Sequence, residues 1–237
     1  TIGRPGEGPG ELTTPLAFGV DGGDSVRVFD FAKGAVLVFS EAGAFIKQYP
    51  AEVRGIASRI EFGPDGGASY SGTHPTAKGA LVAELDRSGS QIRLLGSLVR
   101  EETEIPSNLL DQVHERMIPD FMRNHALPER TPDGDTWIFL QTEAVLEHYS
   151  ADGARDVHQG LEIPEMTTIS QAYFDWYAGV EARDMLRYFE YAEDLGTTRE
   201  LVWLLWQIPL GQPALVTLHD RKGKLCSRLL LAGLGEG

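Results

Sequence analysis

Four residues of this sequence combine reactive side chains with loop positions that suit ligand binding. His74 and Lys78 lie in the stretch SGTHPTAKGA, whereas Asp30 ends the strand-like stretch VRVFD and Lys33 lies three residues beyond it. An imidazole, a carboxylate and two ammonium groups could hold a polar ligand, and His74 could also hold a metal. Two of them have a structural alternative: His74 as an ordinary loop residue, and Asp30 as the cap of its own turn through an Asx-type hydrogen bond.

Two further candidates, Trp176 and Tyr177, belong to the aromatic-rich segment SQAYFDWYAGVEARDMLRYFEYAED (170–194). Aromatic side chains dominate recognition surfaces, so this segment could form a lid that binds a peptide or a sugar. The simpler interpretation is that these rings pack on the rest of the protein.

Motifs for catalysis or metal binding have little support. His114 and His125 are 11 residues apart, and neither an H-x-x-x-H nor an H-E-x-x-H pattern occurs. His148 and His158 flank a predicted hairpin, where a metal clip is an alternative to two independent side chains. No G-x-S-x-G elbow is present. We therefore predict no catalytic residue and no zinc site.

Two turns carry oxygen ligands that suit calcium. They are DGGD (21–24) and DRSG (86–89), and neither continues into the pattern of an EF-hand loop. The sequence predicts no cofactor, with Ca²⁺ as the alternative left open.

A repeat organises the chain. Four segments read as strand, polar turn ending in glycine, and strand: VLVFSEAGAFIKQY (36–49), LVAELDRSGSQIRLL (81–95), VLEHYSADGARDVHQ (145–159) and LVTLHDRKGKLCSRL (215–229). Each is preceded by a further turn and strand. Because glycine permits positive φ in a tight turn, we predict hairpins at Gly43, Gly89, Gly153 and Gly223. Units of four antiparallel strands, A to D, are typical of β-propeller blades.

The predicted fold is therefore all-β with helical insertions: one β-propeller domain, 1–237, with four recognisable blades. The spacing from Gly43 to Gly89 fits a compact blade of about 40–50 residues, and the next two spacings are about 20 residues longer. Helical periodicity occupies the extra length at 107–125, with Ser107 as candidate N-cap, and at 170–194, with Thr167 or Ser170. The predicted order is blade 1 at 12–50, blade 2 at 51–97, insertion at 101–125, blade 3 at 126–163, insertion at 167–187 and blade 4 at 188–232.

Both insertions follow a strand D and precede the next strand A. Because the chain crosses the blade with every strand, D–A connections share a face with B–C loops, and the tight turns lie opposite. We predict that the two helices pack on each other or on the propeller as a cap, with any ligand beside them.

Composition limits the partners. The chain has 35 acidic and 21 basic residues, a net charge of −14, which repels nucleic acid. No apolar stretch reaches the roughly 18 residues of a membrane span. Cys226 is the only cysteine, so no intramolecular disulfide can form. The predicted partner is a protein, a peptide or a carbohydrate.

The first 46 residues carry a family pattern. Its residues are Gly6, Gly8, Pro9, Gly10, Glu11, Leu12, Pro15, Asp21, Gly22, Asp30, Val36, Val38, Phe39 and Gly43. This pattern resembles the first blade of bacterial six-bladed β-propellers related to NHL-repeat proteins. The resemblance implies a propeller fold and a periplasmic or cell-envelope location, and it implies no reaction. The opening stretch GRPGEGPGEL then reads as a connector from an outer strand ending near Ile2 into blade 1, rather than as a phosphate loop.

Six blades of about 45 residues need about 270 residues, so the chain is predicted to be part of a longer propeller, with a compact four-bladed protein as the alternative. The leading functional hypothesis is a non-catalytic binding or scaffold propeller. The alternative is a metal-dependent hydrolase or lyase, similar to gluconolactonase-type propellers, with its site at the channel mouth.

Overall fold

The computed structural model describes residues 2–53, 57–72, 79–100, 106–180, 187–209 and 212–231. Four four-stranded antiparallel sheets form, and in each of them strands adjacent in sequence are also adjacent in the sheet. The first sheet comprises β1 (Pro15–Val20), β2 (Val26–Asp30), β3 (Ala35–Phe39) and β4 (Phe45–Pro50). The second comprises β5 (Ala57–Phe62), β6 (Ala68–Gly72), β7 (Val82–Leu85) and β8 (Gln91–Leu95).

The third sheet comprises β9 (Ala126–Arg130), β10 (Thr136–Leu140), β11 (Val145–Tyr149) and β12 (Arg155–Gly160). The fourth comprises β13 (Ala192–Thr197), β14 (Leu201–Trp206), β15 (Ala214–Asp220) and β16 (Leu225–Leu231). The predicted B strands at 26–30, 67–71, 135–141 and 200–206 match β2, β6, β10 and β14 to within one residue at each end. The predicted fold class is confirmed.

The chain divides into two compact units. The first contains Thr1–Ser97, Pro128–Trp137 and Tyr149–Ala154. The second contains Leu98–Leu127, Ile138–His148 and Arg155–Gly237.

In the first unit, apolar residues that alternate along the strands form a core between the first and second sheets. Its buried members are Phe29, Val36, Val38, Ile60, Ala68, Tyr70, Ala83 and Leu85. The period-2 alternation of side chains places every second residue of β2 and β3 on this face.

The opening stretch covers the opposite face of the first sheet over β2 and β3, whereas Leu16, Phe18 and Val20 of β1 stay exposed on that face. Ile2 and Leu12 pack against buried Val28, Leu37 and Phe39. The stretch closes on itself, since the backbone N–H of residue 6 donates to the carbonyl of residue 12 at 3.0 Å, and that of residue 12 donates to the carbonyl of residue 4 at 2.8 Å. The opening stretch leads into β1, as the connector interpretation predicted. The predicted outer strand ending near Ile2 is not present among the described residues.

The predicted turn glycines adopt the predicted conformation. Gly43, Gly89, Gly153 and Gly223 have φ of +80°, +86°, +87° and +79°. Three of them also pack on the end of the preceding outer strand: Gly89 on Tyr49 and Pro50, Gly153 on Arg93 and Leu95, and Gly223 on Val157 and Gln159. The glycine is therefore needed for the turn and, at Gly89 above all, for the close approach.

The first predicted helix is shorter than its periodicity suggested. Helix α1 covers only Leu109–His114, and a 3₁₀ turn follows at Asp120–Met122. The helix ends because Arg116 is left-handed, with φ of +60°. Pro119 precedes the 3₁₀ turn and would interrupt any continuation. The prediction of one helix across 107–125 was wrong.

The second predicted helix is displaced. Helix α2 covers Met166–Ala178 and ends at Gly179. Glycine is a poor helix former, and the residues from Ala192 onward pair with β14 instead. The N-cap is Glu165, whose side chain makes no cap bond, so the proposed caps Thr167 and Ser170 were wrong.

The two helices pack on each other, as predicted. Buried Leu109, Val113, Met122, Tyr173 and Tyr177 lie in one cluster with Phe189. We call α1, the 3₁₀ turn, α2 and residues 187–191 the helical cap.

Candidate functional site

Asp30 and Lys33 hold the opening stretch in place. The buried Asp30 carboxylate accepts the backbone N–H groups of Thr13 at 2.6 Å, Thr14 at 3.1 Å and Lys33 at 3.3 Å. Burial acts to raise the Asp30 pKa, but these three hydrogen bonds outweigh it and lower the pKa. Lys33 Nζ donates to the Glu11 carbonyl at 2.7 Å. Both side chains have structural partners, and a ligand role for them stays a prediction.

His74 and Lys78 lie outside the described residues, so ligand binding by these two residues stays a prediction from the sequence.

The two turns considered for calcium use their carboxylates internally. Asp21 accepts the N–H of Gly23 at 3.0 Å and both Nε and Nη2 of Arg27. Burial acts to raise the Asp21 pKa, and the Arg27 and backbone hydrogen bonds lower it overall. Asp86 has a lowered pKa chiefly because the Ser88 hydroxyl donates to it at 2.6 Å. Calcium binding stays a prediction.

The histidines of the third sheet have separate acidic partners. His148 Nδ1 lies 2.5 Å from Asp156 Oδ1, and His158 Nδ1 lies 2.8 Å from Glu147 Oε1. Within the described part of the chain, no group of three or more His, Cys, Asp or Glu side chains is close enough to share a metal ion.

Trp176 and Tyr177 belong to the helical cap. Tyr177 is fully buried, and its hydroxyl accepts the Arg187 N–H at 2.8 Å and donates to the Arg187 carbonyl at 2.9 Å. Trp176 is half-buried, packs edge-on against Tyr177 with ring centroids 4.7 Å apart, and lies 5.7 Å from the Arg187 guanidinium carbon. Tyr177 therefore packs inside the helical cap, as the simpler interpretation expected, whereas part of the Trp176 side chain is exposed at the surface.

A groove of about 270 Å³ runs between α1 and α2, and we call it the cap groove. It is lined by Val113, His114, Arg116, Phe174 and Ala178. The half-buried Phe174 ring lies 5.9 Å from the guanidinium carbon of Arg116, whose Nη1 donates to Gln171 Oε1 at 2.8 Å. Arg116 Nη2 also lies 3.5 Å from Asp175 Oδ1, so the groove joins an apolar floor to a half-exposed ion pair.

The backbone at Arg116 is unusual for its residue type. The Arg116 N–H donates to the Val113 carbonyl, and the Met117 N–H donates to the Gln112 carbonyl, both at 2.9 Å. This is the Schellman pattern of a helix C-terminus, in which the left-handed position normally belongs to glycine. A non-glycine residue there costs about 1–2 kcal/mol. Sequence reasoning missed Arg116 because the end of α1 was not predicted.

A buried polar chain crosses the fourth sheet and was also missed. Trp206 Nε1 donates a hydrogen bond to Thr217 Oγ1 at 2.7 Å. The same Thr217 oxygen lies 2.9 Å from His219 Nε2, and the other ring nitrogen, His219 Nδ1, lies 3.2 Å from the carbonyl oxygen of Gly223. Burial lowers the His219 pKa. The spacing of two between Thr217 and His219 on one strand was the available signal, since such residues share a face.

No protein-family model matches the sequence, and no curated protein matches it. Among solved structures, virginiamycin B lyase from Staphylococcus aureus matches 95% of this chain at 9% identity and a TM-score of 0.50. A catalytically inactive form of that lyase with quinupristin matches 98% at 10% identity and a TM-score of 0.51. A Bacteroides fragilis protein named provisionally as exported matches 97% at 14% identity and a TM-score of 0.52.

The chain spans about three-fifths of the length of these proteins, 59%, 59% and 61% respectively. At such low identity the likeness concerns the fold alone. Neither described helix is long and apolar enough to cross a bilayer. Four-stranded antiparallel sheets in sequence order, together with these neighbours, establish a β-propeller fold class for the chain.

Proposed function

We propose that this chain is a non-catalytic binding module whose recognition surface is the helical cap, and that its ligand is a peptide segment of a partner protein. The observation that carries the proposal is Arg116 in a left-handed position beside the cap groove. Residues held in such conformations cluster at functional sites, which makes Arg116 a candidate, and Asp24 and Ala144 share the positive φ elsewhere in the described chain. Here the side chain places a half-exposed guanidinium, 3.5 Å from Asp175 Oδ1, at the edge of the groove.

The size and surface of the groove support a peptide over a sugar. A volume of about 270 Å³ suits one apolar side chain of a peptide. A sugar would stack on an open aromatic face, but the guanidinium of Arg116 lies over the Phe174 ring. A peptide carboxylate can reach Arg116 while the apolar side chain contacts Val113 and Ala178.

The variant Arg116→Gly separates binding from stability. Glycine suits the left-handed position, so the variant should be as stable as the wild type or more stable in urea. Peptides selected from a random library on the wild-type protein should bind the variant about tenfold or more weakly by fluorescence polarisation, because a charged hydrogen bond is lost. Lys222→Gly, which removes an exposed cation from a turn of the same unit, is the matched control.

Two results would contradict the proposal. Selected peptides could bind Arg116→Gly as well as they bind the wild type, which would place the contact elsewhere. Alternatively, the variant could lose stability and binding together, which would make Arg116 a structural residue.

A second candidate is the metal-dependent hydrolase or lyase, for which the described residues offer a histidine beside a carboxylate but no cluster of three metal-ligating side chains. His125 directly precedes β9, and Glu190 lies two residues before the start of β13. The distance between His125 Nδ1 and Glu190 Oε1 is 3.3 Å. Quinupristin and a simple sugar lactone, each with and without a divalent cation, test this candidate. Turnover that requires the cation and is lost in His125→Gln would support an enzyme. Equal rates for the wild type and His125→Gln, at the level of the uncatalysed reaction, would oppose it.

We also propose that the protein acts in the periplasm or cell envelope, as part of a longer six-bladed propeller of the NHL-related class. Support comes from the pattern in residues 2–46 and from the exported neighbour. Fractionation of cells that express the full-length gene product would test the location.

A further inference from the structure

A cavity of about 570 Å³ lies in the first unit, apart from any residue of the helical cap. We call it the turn cavity because the turns at 21–25 and 64–65 form much of its wall. Val38, Ile46 and Pro64 provide its apolar surface, and Lys47 and Arg87 stand at its exposed margin.

A buried guanidinium faces this cavity. Arg27 is 3% exposed, and its Nε and Nη2 donate to Asp21 Oδ2 at 2.9 and 2.8 Å, while its Nη1 donates to the Tyr49 hydroxyl at 2.7 Å. A guanidinium has five N–H donors, so among the described residues two of them have no protein acceptor. Buried donors favour an acceptor strongly, because leaving one unpaired costs about 1–3 kcal/mol.

Three cations line the cavity, Arg27, Lys47 and Arg87, against two carboxylates, Asp21 and Asp65. Asp21 is paired with Arg27, and Asp65 is paired with Arg130 at 2.8 Å. Lys47 and Arg87 have no acidic partner among the described residues; Lys47 lies only over the Tyr49 ring, at 5.5 Å. This lining favours an anion, although Asp24 and Asp86 lie next to it in the chain and the whole chain has a net charge of −14.

We propose that the turn cavity binds a small organic monoanion, a carboxylate on an apolar body, through Arg27, Lys47 and Arg87. A planar carboxylate accepts two hydrogen bonds from a guanidinium fork. The carboxylates of Asp21 and Asp65 border the cavity and disfavour a dianion such as phosphate. The apolar body of the ligand contacts Val38 and Ile46.

The test uses 4-phenylbutyrate as the probe and 4-phenylbutanol as its neutral counterpart, with binding measured by isothermal titration calorimetry. The acid should bind at least about tenfold more tightly than the alcohol, and inorganic phosphate should bind more weakly than the acid. The double variant Lys47→Gln, Arg87→Gln should weaken the acid about tenfold or more and leave the alcohol unchanged.

Lys222→Gln is the matched control, since it removes an exposed lysine of the second unit and should leave all three titrations unchanged. Equal affinity for acid and alcohol would overturn the proposal, as would an unchanged affinity for the acid in the double variant. Absence of binding at millimolar acid in a protein with a normal urea midpoint would overturn it as well. The result is independent of the peptide experiment on Arg116.

Discussion

Two turn glycines with the same backbone conformation provide a matched test of how these blades pack. Gly89 and Gly153 occupy equivalent hairpin turns, with φ of +86° and +87°. An alanine at either position meets the same left-handed strain, about 1 kcal/mol. Any difference between the two variants therefore reports on the surroundings of the added methyl group.

Those surroundings differ sharply. A Cβ at Gly89 would lie 2.1 Å from the carbonyl oxygen of Pro50 and 3.0 Å from Tyr49 Cδ2, whereas at Gly153 the nearest atom is Arg93 Cδ at 3.7 Å. Backbone must move at Gly89, and its carbonyl also accepts the Glu52 N–H at 3.0 Å. Overpacking of this kind costs about 1–3 kcal/mol beyond the strain. We expect Gly89→Ala to cost about 2–4 kcal/mol and Gly153→Ala about 1 kcal/mol.

Urea unfolding followed by tryptophan fluorescence measures both free energies of unfolding, and equal m-values would show that the same transition is compared. Gly34→Ala is a further control, because its φ is +56° and no atom lies within 4 Å of an added Cβ. If Gly89→Ala destabilises the protein no more than Gly153→Ala, the packing of the Gly89 turn on Pro50 is not as described.

Three further predictions concern buried hydrogen bonds. Thr217→Val leaves Trp206 Nε1 and His219 Nε2 unpaired and should cost about 2–4 kcal/mol in urea unfolding, while Thr217→Ser, which keeps the hydroxyl, should cost much less. Burial lowers the His219 pKa, so the unfolded chain takes up a proton first. Below about pH 6.5 the wild type should therefore lose stability faster than His219→Gln, and parallel pH profiles would contradict this. Asp30→Asn places an N–H₂ group against donors of the opening stretch and should cost about 1–3 kcal/mol, and unchanged stability would show that those bonds are dispensable.

Local patterns in the sequence predicted much of the fold. Alternating apolar residues and turn glycines depend only on neighbouring residues, so strands β2, β6, β10 and β14 and the four hairpins could be placed in advance. The helices were harder, because apolar periodicity continued past the residues that end them. Gly179 was visible as a helix breaker, but the left-handed conformation of Arg116 was not.

The sites depended on distant contacts. The sequence marked Asp30 and Lys33 as reactive residues in a loop, but only the fold shows that they hold residues 8–14. The sequence did not single out Arg27, because a charged residue in a strand is ordinarily exposed. Only the fold shows that Arg27 is buried and hydrogen-bonded to Asp21 and Tyr49.

From the sequence alone follow the blade repeat, the acidic composition and the two insertions, since each is a property of residue order and composition. The tertiary structure decided which polar groups are satisfied internally and which face a cavity. Hydrogen bonding and burial are set by residues far apart in the chain, such as Thr13 with Asp30 or Gln171 with Arg116, and no local pattern specifies such pairs.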